Sequence, residues 1–152
     1  TARVTNQRRG PPGGPGRRSK VIVLDASVLG ASLVRSSTHS DWALEIIRAN
    51  DVVAPAHLLV ETSQMLRRLV LSGLVSPQET DAAHVDLLNF DVGLYPYDFV
   101  GPRVWELRHN LTTYDGCYVA LAEVMELPLA TLDERLARAS GPTCEFLLPP
   151  AN

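Results

Sequence analysis

With 152 residues, 45% of them apolar and 20% charged, the chain fits one ordinary globular domain with a core of useful size. No apolar run approaches the roughly 18 residues needed to span a membrane, and none follows the N-terminal arginines, so no secretory signal is expected. The net charge of −3 hides a split: residues 1–20 carry six basic residues and no acid, which leaves 8 basic and 17 acidic residues, a net −9, on residues 21–152.

Such an acidic body is a poor general trap for nucleic acid, whose affinity comes mostly from phosphate contacts. It suits a protein that holds cations and binds a basic partner. The segment TARVTNQRRGPPGGPGRRSK, residues 1–20, is dominated by Pro, Gly and Arg and has no hydrophobic period, so it reads as a disordered basic extension. Its GPPGGPG has no preceding strand and no following Lys-Ser/Thr, and is not a phosphate loop. Cys117 and Cys144 belong to no metal-ligand spacing and read as free thiols of a reducing, cytoplasmic protein.

The folded part is expected over residues 21–150, as alternating strands and helices. VIVL (21–24) is a continuous β-branched run and reads as a buried central strand. Helices are predicted at 26–35 and 40–49, and DVVAP (51–55) is a second strand ended by Pro55. A helix over 56–72 is closed by Gly73. Ser76-Pro77-Gln78-Glu79 opens another, with Ser76 as N-cap and Pro77 at its first position. DVGLYPY (91–97) contains a third strand, and a helix at about 99–110 has Pro102 in its first turn. The helix from Tyr114 to Glu126 is apolar nearly all round, hence buried. PLATL (128–132) is a fourth strand, 133–139 a short helix and CEFLL (144–148) a last strand. Strands separated by helices imply parallel pairing with right-handed crossovers, an α/β fold.

Four acids stand where such a sheet binds ligands, beyond the carboxyl ends of its strands. Asp25 follows VIVL, and Asp133 follows PLATL in the same pattern. Asp115 starts the buried helix, beside Tyr118, Val119 and Ala122. Each of these three also has a structural explanation as a helix-start acid. Glu61 does not: it falls at the edge of an apolar stripe of its helix, and Arg67 and Arg68 are not at the i+3 or i+4 spacing of a local ion pair. Carboxylates gathered at one place repel and raise one another's pKa. A divalent cation resolves that, and oxygen-only ligands favour Mg²⁺ or Mn²⁺. The chemistry implied is metal-assisted hydrolysis of a phosphodiester.

At these residues the sequence resembles the PIN-domain ribonucleases, and within them the VapC toxins of bacterial toxin–antitoxin pairs. The segments that carry the resemblance are VIVLDASVL (21–29), VAPAHLLVETSQMLRR (53–68) and TTYDGCYVALAEVMELPLATLDERLARA (112–139). The resemblance implies a PIN-like fold, a five-stranded, mostly parallel sheet flanked by helices. It implies Asp25 and Asp115 as direct metal ligands and Glu61 as the acid that holds the metal's water or serves as base. It implies Asp133 as the fourth acid, the most variable, with Ser27 and Thr131 as small polar neighbours of the metal. It further implies a homodimer, an RNA substrate (transfer, ribosomal or messenger), and a VapB-type antitoxin whose C-terminal segment lies across the active site. The family often has Ala after the third acid, where this chain has Gly116.

Rival readings are an inactive PIN-like scaffold, and a receiver-like domain with Asp25 as phosphoacceptor. Retention of four acids speaks against the first. The second needs an acidic pair at the first strand and a lysine near the last, whereas Lys20, the only lysine, precedes the fold. His39, His57, His84 and His109 share no spacing and read as surface or capping residues. Trp42 and Trp105 read as core or dimer contacts.

Overall fold

The structure, a computed structural model, describes residues 19–151. Five strands form one sheet among the described residues: β1 (Lys20–Leu24), β2 (Asn50–Pro55), β3 (Gly93–Tyr95), β4 (Leu129–Ala130) and β5 (Phe146–Leu147). The helices between them are α1 (Ala26–Leu33), α2 (Ser40–Ala49), α3 (Leu58–Leu71), α4 (Pro77–Leu88), α5 (Tyr97–Glu106), α6 (Thr113–Met125) and α7 (Glu134–Ala137). The sheet order is β3-β2-β1-β4-β5 and every pairing is parallel. The basic extension lies outside the described residues as far as residue 18. Lys20 already pairs with Asn50, and the Ser19 hydroxyl donates to Asp51 Oδ2 at 2.7 Å.

β1 holds the centre because Ile22, Val23 and Leu24 can be buried on both faces, as a central parallel strand requires. The chain builds outward from β1 through β2 to β3, then returns to β1's other side as β4 and β5. The order therefore reverses at β1, and the crevice between β1 and β4 is the switch point where such sheets bind ligands. α6 lies directly against β1, β2 and β4, with α5 packed on it. Its run from Gly116 to Ala122 is buried without interruption, as its all-round apolar pattern demands.

Two expectations shift. α5 begins at Tyr97, so Pro102 lies inside the helix rather than in its first turn. Pro96 takes the N-cap position in extended backbone (φ −73°, ψ 157°) and starts the helix early. β4 and β5 are also shorter than their apolar runs. Thr131 still donates its N–H to the Leu147 carbonyl at 3.1 Å, but the Leu132 N–H turns to Ser27 Oγ, as described below.

Gly73 closes α3 at φ +75°, with its N–H donating to the Val70 carbonyl. A Cβ there meets no neighbour, so Gly73→Ala carries the backbone cost alone. We expect a loss of about 1 kcal/mol, read as a lower urea midpoint with an unchanged m-value. Ser76 caps α4 by accepting from the Glu79 N–H at 3.2 Å, as the sequence pattern predicts. Cys117 and Cys144 are free thiols. No helix among the described residues is long and apolar enough to cross a membrane.

Candidate active site

Asp25 sits at the carboxyl end of β1 and is only 5% exposed. Its backbone starts α1, but its side chain caps nothing. Instead Oδ2 accepts two hydroxyls, from Ser27 and from Thr131, each at 2.7 Å. Thr131 comes from the end of β4, so the two sides of the crevice are joined at one carboxylate oxygen. Ser27 Oγ in turn accepts from the Leu132 N–H at 3.0 Å, and Thr131 Oγ1 from the Asp133 N–H at 3.0 Å. These bonds hold residues 131–133 against the Asp25 segment, while the Thr131 N–H still pairs with the Leu147 carbonyl. Among the described residues nothing donates to Asp25 Oδ1.

Burial pushes Asp25 up to a pKa of about 6, and the charges of Glu61 and Asp115 add to it, against the two hydroxyl bonds that lower it. Asp115 is raised in the same way, first by burial and then by Asp133 and Glu61, with Thr112 and Arg135 opposing. Asp25 and Asp115 therefore both feel the charge of Glu61, Asp25 feels Asp115, and Asp115 feels Asp133. Among the described residues no three His, Cys, Asp or Glu side chains are drawn together tightly enough to enclose an ion.

The local roles of the acids differ. Thr112 caps α6 by accepting from the Asp115 N–H at 3.2 Å, which leaves the Asp115 side chain in the first turn without a capping duty. Asp133 does cap: its Oδ1 accepts from the Arg135 and Leu136 N–H groups at 2.9 and 3.3 Å. Glu61 is one-third exposed in the first turn of α3, and the Tyr118 hydroxyl donates to its Oε2 at 3.2 Å.

Two residues join the site that sequence reasoning did not assign to it. His57 occupies the N-cap position of α3 but makes no side-chain cap bond. Its ring packs edge-on to Tyr118 at 5.0 Å and to Tyr114 at 5.8 Å. His57 Nε2 approaches Glu61 Oε2 to 3.2 Å, yet the alignment is too poor for a hydrogen bond, and the buried Nε2 finds no partner among the described residues. The signal was the i, i+4 spacing of His57 and Glu61, which puts both on one helix face. For Tyr118, one turn after Asp115, the apolar surroundings masked its hydroxyl. Burial raises the Tyr118 phenol far above its usual range, so it remains a donor.

Of the other residues, Trp42 is partly buried against the core, whereas Trp105 is exposed on α5 with the Arg108 guanidinium 4.9 Å from its ring centre. Gly116 lies where α6 meets α5: a Cβ there would stand 3.3 Å from Val104 Cγ1. That close approach is the physical setting of the Gly found in place of Ala.

The PIN domain family model matches residues 22–142. Ribonuclease VapC1 of Mycobacterium tuberculosis is 37% identical over 131 residues, covering 83% of this chain and 96% of that protein. Among solved structures, Mycobacterium tuberculosis VapC20, a toxin that cleaves the sarcin–ricin loop, aligns with a TM-score of 0.60 at 18% identity, over 77% of this chain and 93% of that one. VapBC2 of Rickettsia felis, bound to a promoter DNA fragment, aligns with a TM-score of 0.57 at 12% identity, over 84% and 98%. The parallel five-stranded sheet, the acids at its switch point and these likenesses agree: the chain belongs to the PIN-domain family and, within it, to the VapC ribonucleases.

Proposed function

We propose that this chain is a divalent-metal-dependent RNA endonuclease, the toxin of a toxin–antitoxin pair, with Asp25, Glu61, Asp115 and Asp133 as its active site. One observation carries the metal: Asp25 is a nearly buried carboxyl whose Oδ1 takes no donor from the described residues, and it faces two further carboxylates. A nearly buried carboxylate that faces others of the same charge is costly without a cation beside it. The acids contribute hard oxygen donors, a set suited to Mg²⁺ or Mn²⁺ rather than to a soft metal.

Asp25 and Asp115 are the residues to hold the ion. When bound, it supplies positive charge to the phosphodiester and makes water more acidic. Ser27 and Thr131 fix Asp25 by holding Oδ2, which leaves Oδ1 for the ion. Glu61, with Oε2 held by Tyr118, presents Oε1 to take the proton of the attacking water. Asp133 spends Oδ1 on the cap of α7 and has Oδ2 to offer, so its part is the more peripheral.

The VapC likeness supports RNA as substrate and a VapB-type antitoxin as partner. The charge supports it too, because a basic segment is drawn to an acidic cluster on an acidic body. Val60 and Leu71 on α3, Leu74 after it, and Val85 and Leu88 on α4 are exposed apolar side chains on neighbouring helices. They are suited to cover by a protein partner, whether antitoxin or a second copy in a homodimer. Both arrangements are at home in the cytoplasm, where RNA and reduced thiols are found.

The test is cleavage of structured RNA by the purified chain with Mg²⁺ or Mn²⁺. We expect cutting that EDTA abolishes and that Asp115→Asn lowers about 100-fold or more. Equal cutting by wild type and that variant would expose a contaminating nuclease and overturn the assignment.

A further inference from the structure

We propose that Tyr118 is a positioning residue that ties two acid-bearing helices, α3 and α6, together and sets the orientation of the Glu61 carboxylate. The inference rests on the nuclease reading of the four acids and goes beyond it, to a residue that is not itself acidic.

Two contacts meet at this side chain. Tyr118 lies on α6 one turn beyond Asp115, so its ring is fixed by the helix that carries that acid. Its hydroxyl donates to Oε2 of Glu61 on α3 at 3.2 Å. Tyr118 thus joins the helix of Asp115 to Glu61 on α3, two acids that repel one another through their charges. On its other side the ring packs edge-on against His57, whose Nε2 stands 3.2 Å from the same Glu61 Oε2.

Core packing alone does not explain the residue. Tyr118 is 0% exposed, and a phenylalanine would fill the same volume without a polar atom. A buried hydroxyl is costly unless it is bonded. Here its acceptor is the carboxylate of the site rather than a backbone carbonyl. Holding Oε2 restricts rotation of the carboxylate and directs Oε1 to water. Removing that hold leaves Glu61 charged but free to turn away, towards solvent and away from the other acids.

The experiment is a kinetic cycle with Tyr118→Phe and Glu61→Asp, in the full chain with Mn²⁺ and a structured RNA. The shorter Asp draws the carboxylate out of reach of the phenol, so the two changes sever the same contact. We expect Tyr118→Phe to lower kcat about tenfold while KM stays within twofold. In the Glu61→Asp background the same change should add no further loss. Wild-type kcat in Tyr118→Phe overturns the proposal, as does a loss that multiplies fully with that of Glu61→Asp. A variant that loses activity only by unfolding is recognised by its melting curve, and Tyr118→Met, which also fills the site without a hydroxyl, then repeats the test. A wild-type chain that cuts no RNA defeats the nuclease reading instead. The tie is then read from NMR side-chain order of the Glu61 methylenes, which Tyr118→Phe loosens if the tie exists and leaves unchanged if it does not.

Discussion

Asp25→Asn is expected to abolish RNA cleavage and, in the absence of divalent cations, to make the fold more stable. The carboxyl ionises at about pH 6 in the fold, pushed there by burial first and by Glu61 and Asp115 after it. In the unfolded chain it ionises near 3.9. The folded state therefore holds its proton more tightly. Stability contributed by this group is complete below about pH 4, falls as pH rises to about 6, and stays at its lower level above that. An asparagine carries no charge, and its carbonyl still accepts from Ser27 and Thr131. The variant should gain on the order of 2–3 kcal/mol at pH 7–8, about 5–10 °C in melting temperature, and the gain should vanish towards pH 4.

Adding Mg²⁺ or Mn²⁺ should reverse the order, because an ion bound only by the folded state stabilises it by mass action. The wild type should then melt higher and Asp25→Asn should not respond. Cleavage by the variant should fall about 100-fold or more, the rate equivalent of the several kcal/mol a bound ion contributes. Melting curves at pH 4, 6 and 8, with and without Mn²⁺, check the whole pattern. An Asn variant no more stable than wild type at pH 8 would show that Asp25 carries no electrostatic strain.

The same residue shows how much of the site was legible in the sequence. An apolar strand followed by an acid, met twice at Asp25 and Asp133, placed both acids beyond the carboxyl ends of β1 and β4. That inference needs only the strand pattern and the topology rule for α/β sheets. The all-round apolar pattern of α6 put Asp115 at the core's edge, and the helix is buried accordingly. What the pattern could not show is how a side chain is used. Asp25 and Asp133 look alike as helix-start acids, yet Asp133 caps α7 and Asp25 caps nothing. His57 and Tyr118 escaped because each has an ordinary local explanation, a helix start and an apolar stripe. Only tertiary placement brings Tyr118 to Glu61, 57 residues away in the chain. Helix boundaries erred where proline misled: Pro102 suggested a first turn, but Pro96 had already fixed the backbone before α5.

Replacing Arg103 with Leu is expected to have the second-largest effect, on stability rather than chemistry. The Arg103 guanidinium holds both oxygens of Glu123 near the end of α6, donates to the Gly141 carbonyl at 3.0 Å and reaches Glu106. Glu123 also accepts from the Thr143 N–H at 2.7 Å, so the loop before β5 is pinned through the same pair. The Glu123 side chain is only 11% exposed. Burial alone would raise its pKa, but the Arg103 and Thr143 bonds outweigh burial and leave it lowered. Removing Arg103 leaves a largely buried carboxylate without its cation, which costs about 3 kcal/mol. The lowered Glu123 stabilises the wild type above its unfolded pKa and loses that contribution as pH falls through the folded value. In Arg103→Leu the Thr143 bonds remain but the Arg103 bond and charge no longer offset burial, so the carboxyl takes up its proton more readily than in the wild type and the gap between the two proteins should narrow as pH falls. Converting Glu123 to Leu as well should recover most of the loss, because an apolar pair of similar size replaces the ion pair without a buried charge. Asp115 lies at the opposite end of α6 from Glu123, so folded Arg103→Leu should cut RNA at close to the wild-type rate at low temperature. Urea titration at pH 7 and pH 4, with initial rates on the same preparations, decides this. A variant of wild-type stability would mean that solvent screens the pair, and a folded variant without activity would mean that this end of α6 controls the position of Asp115.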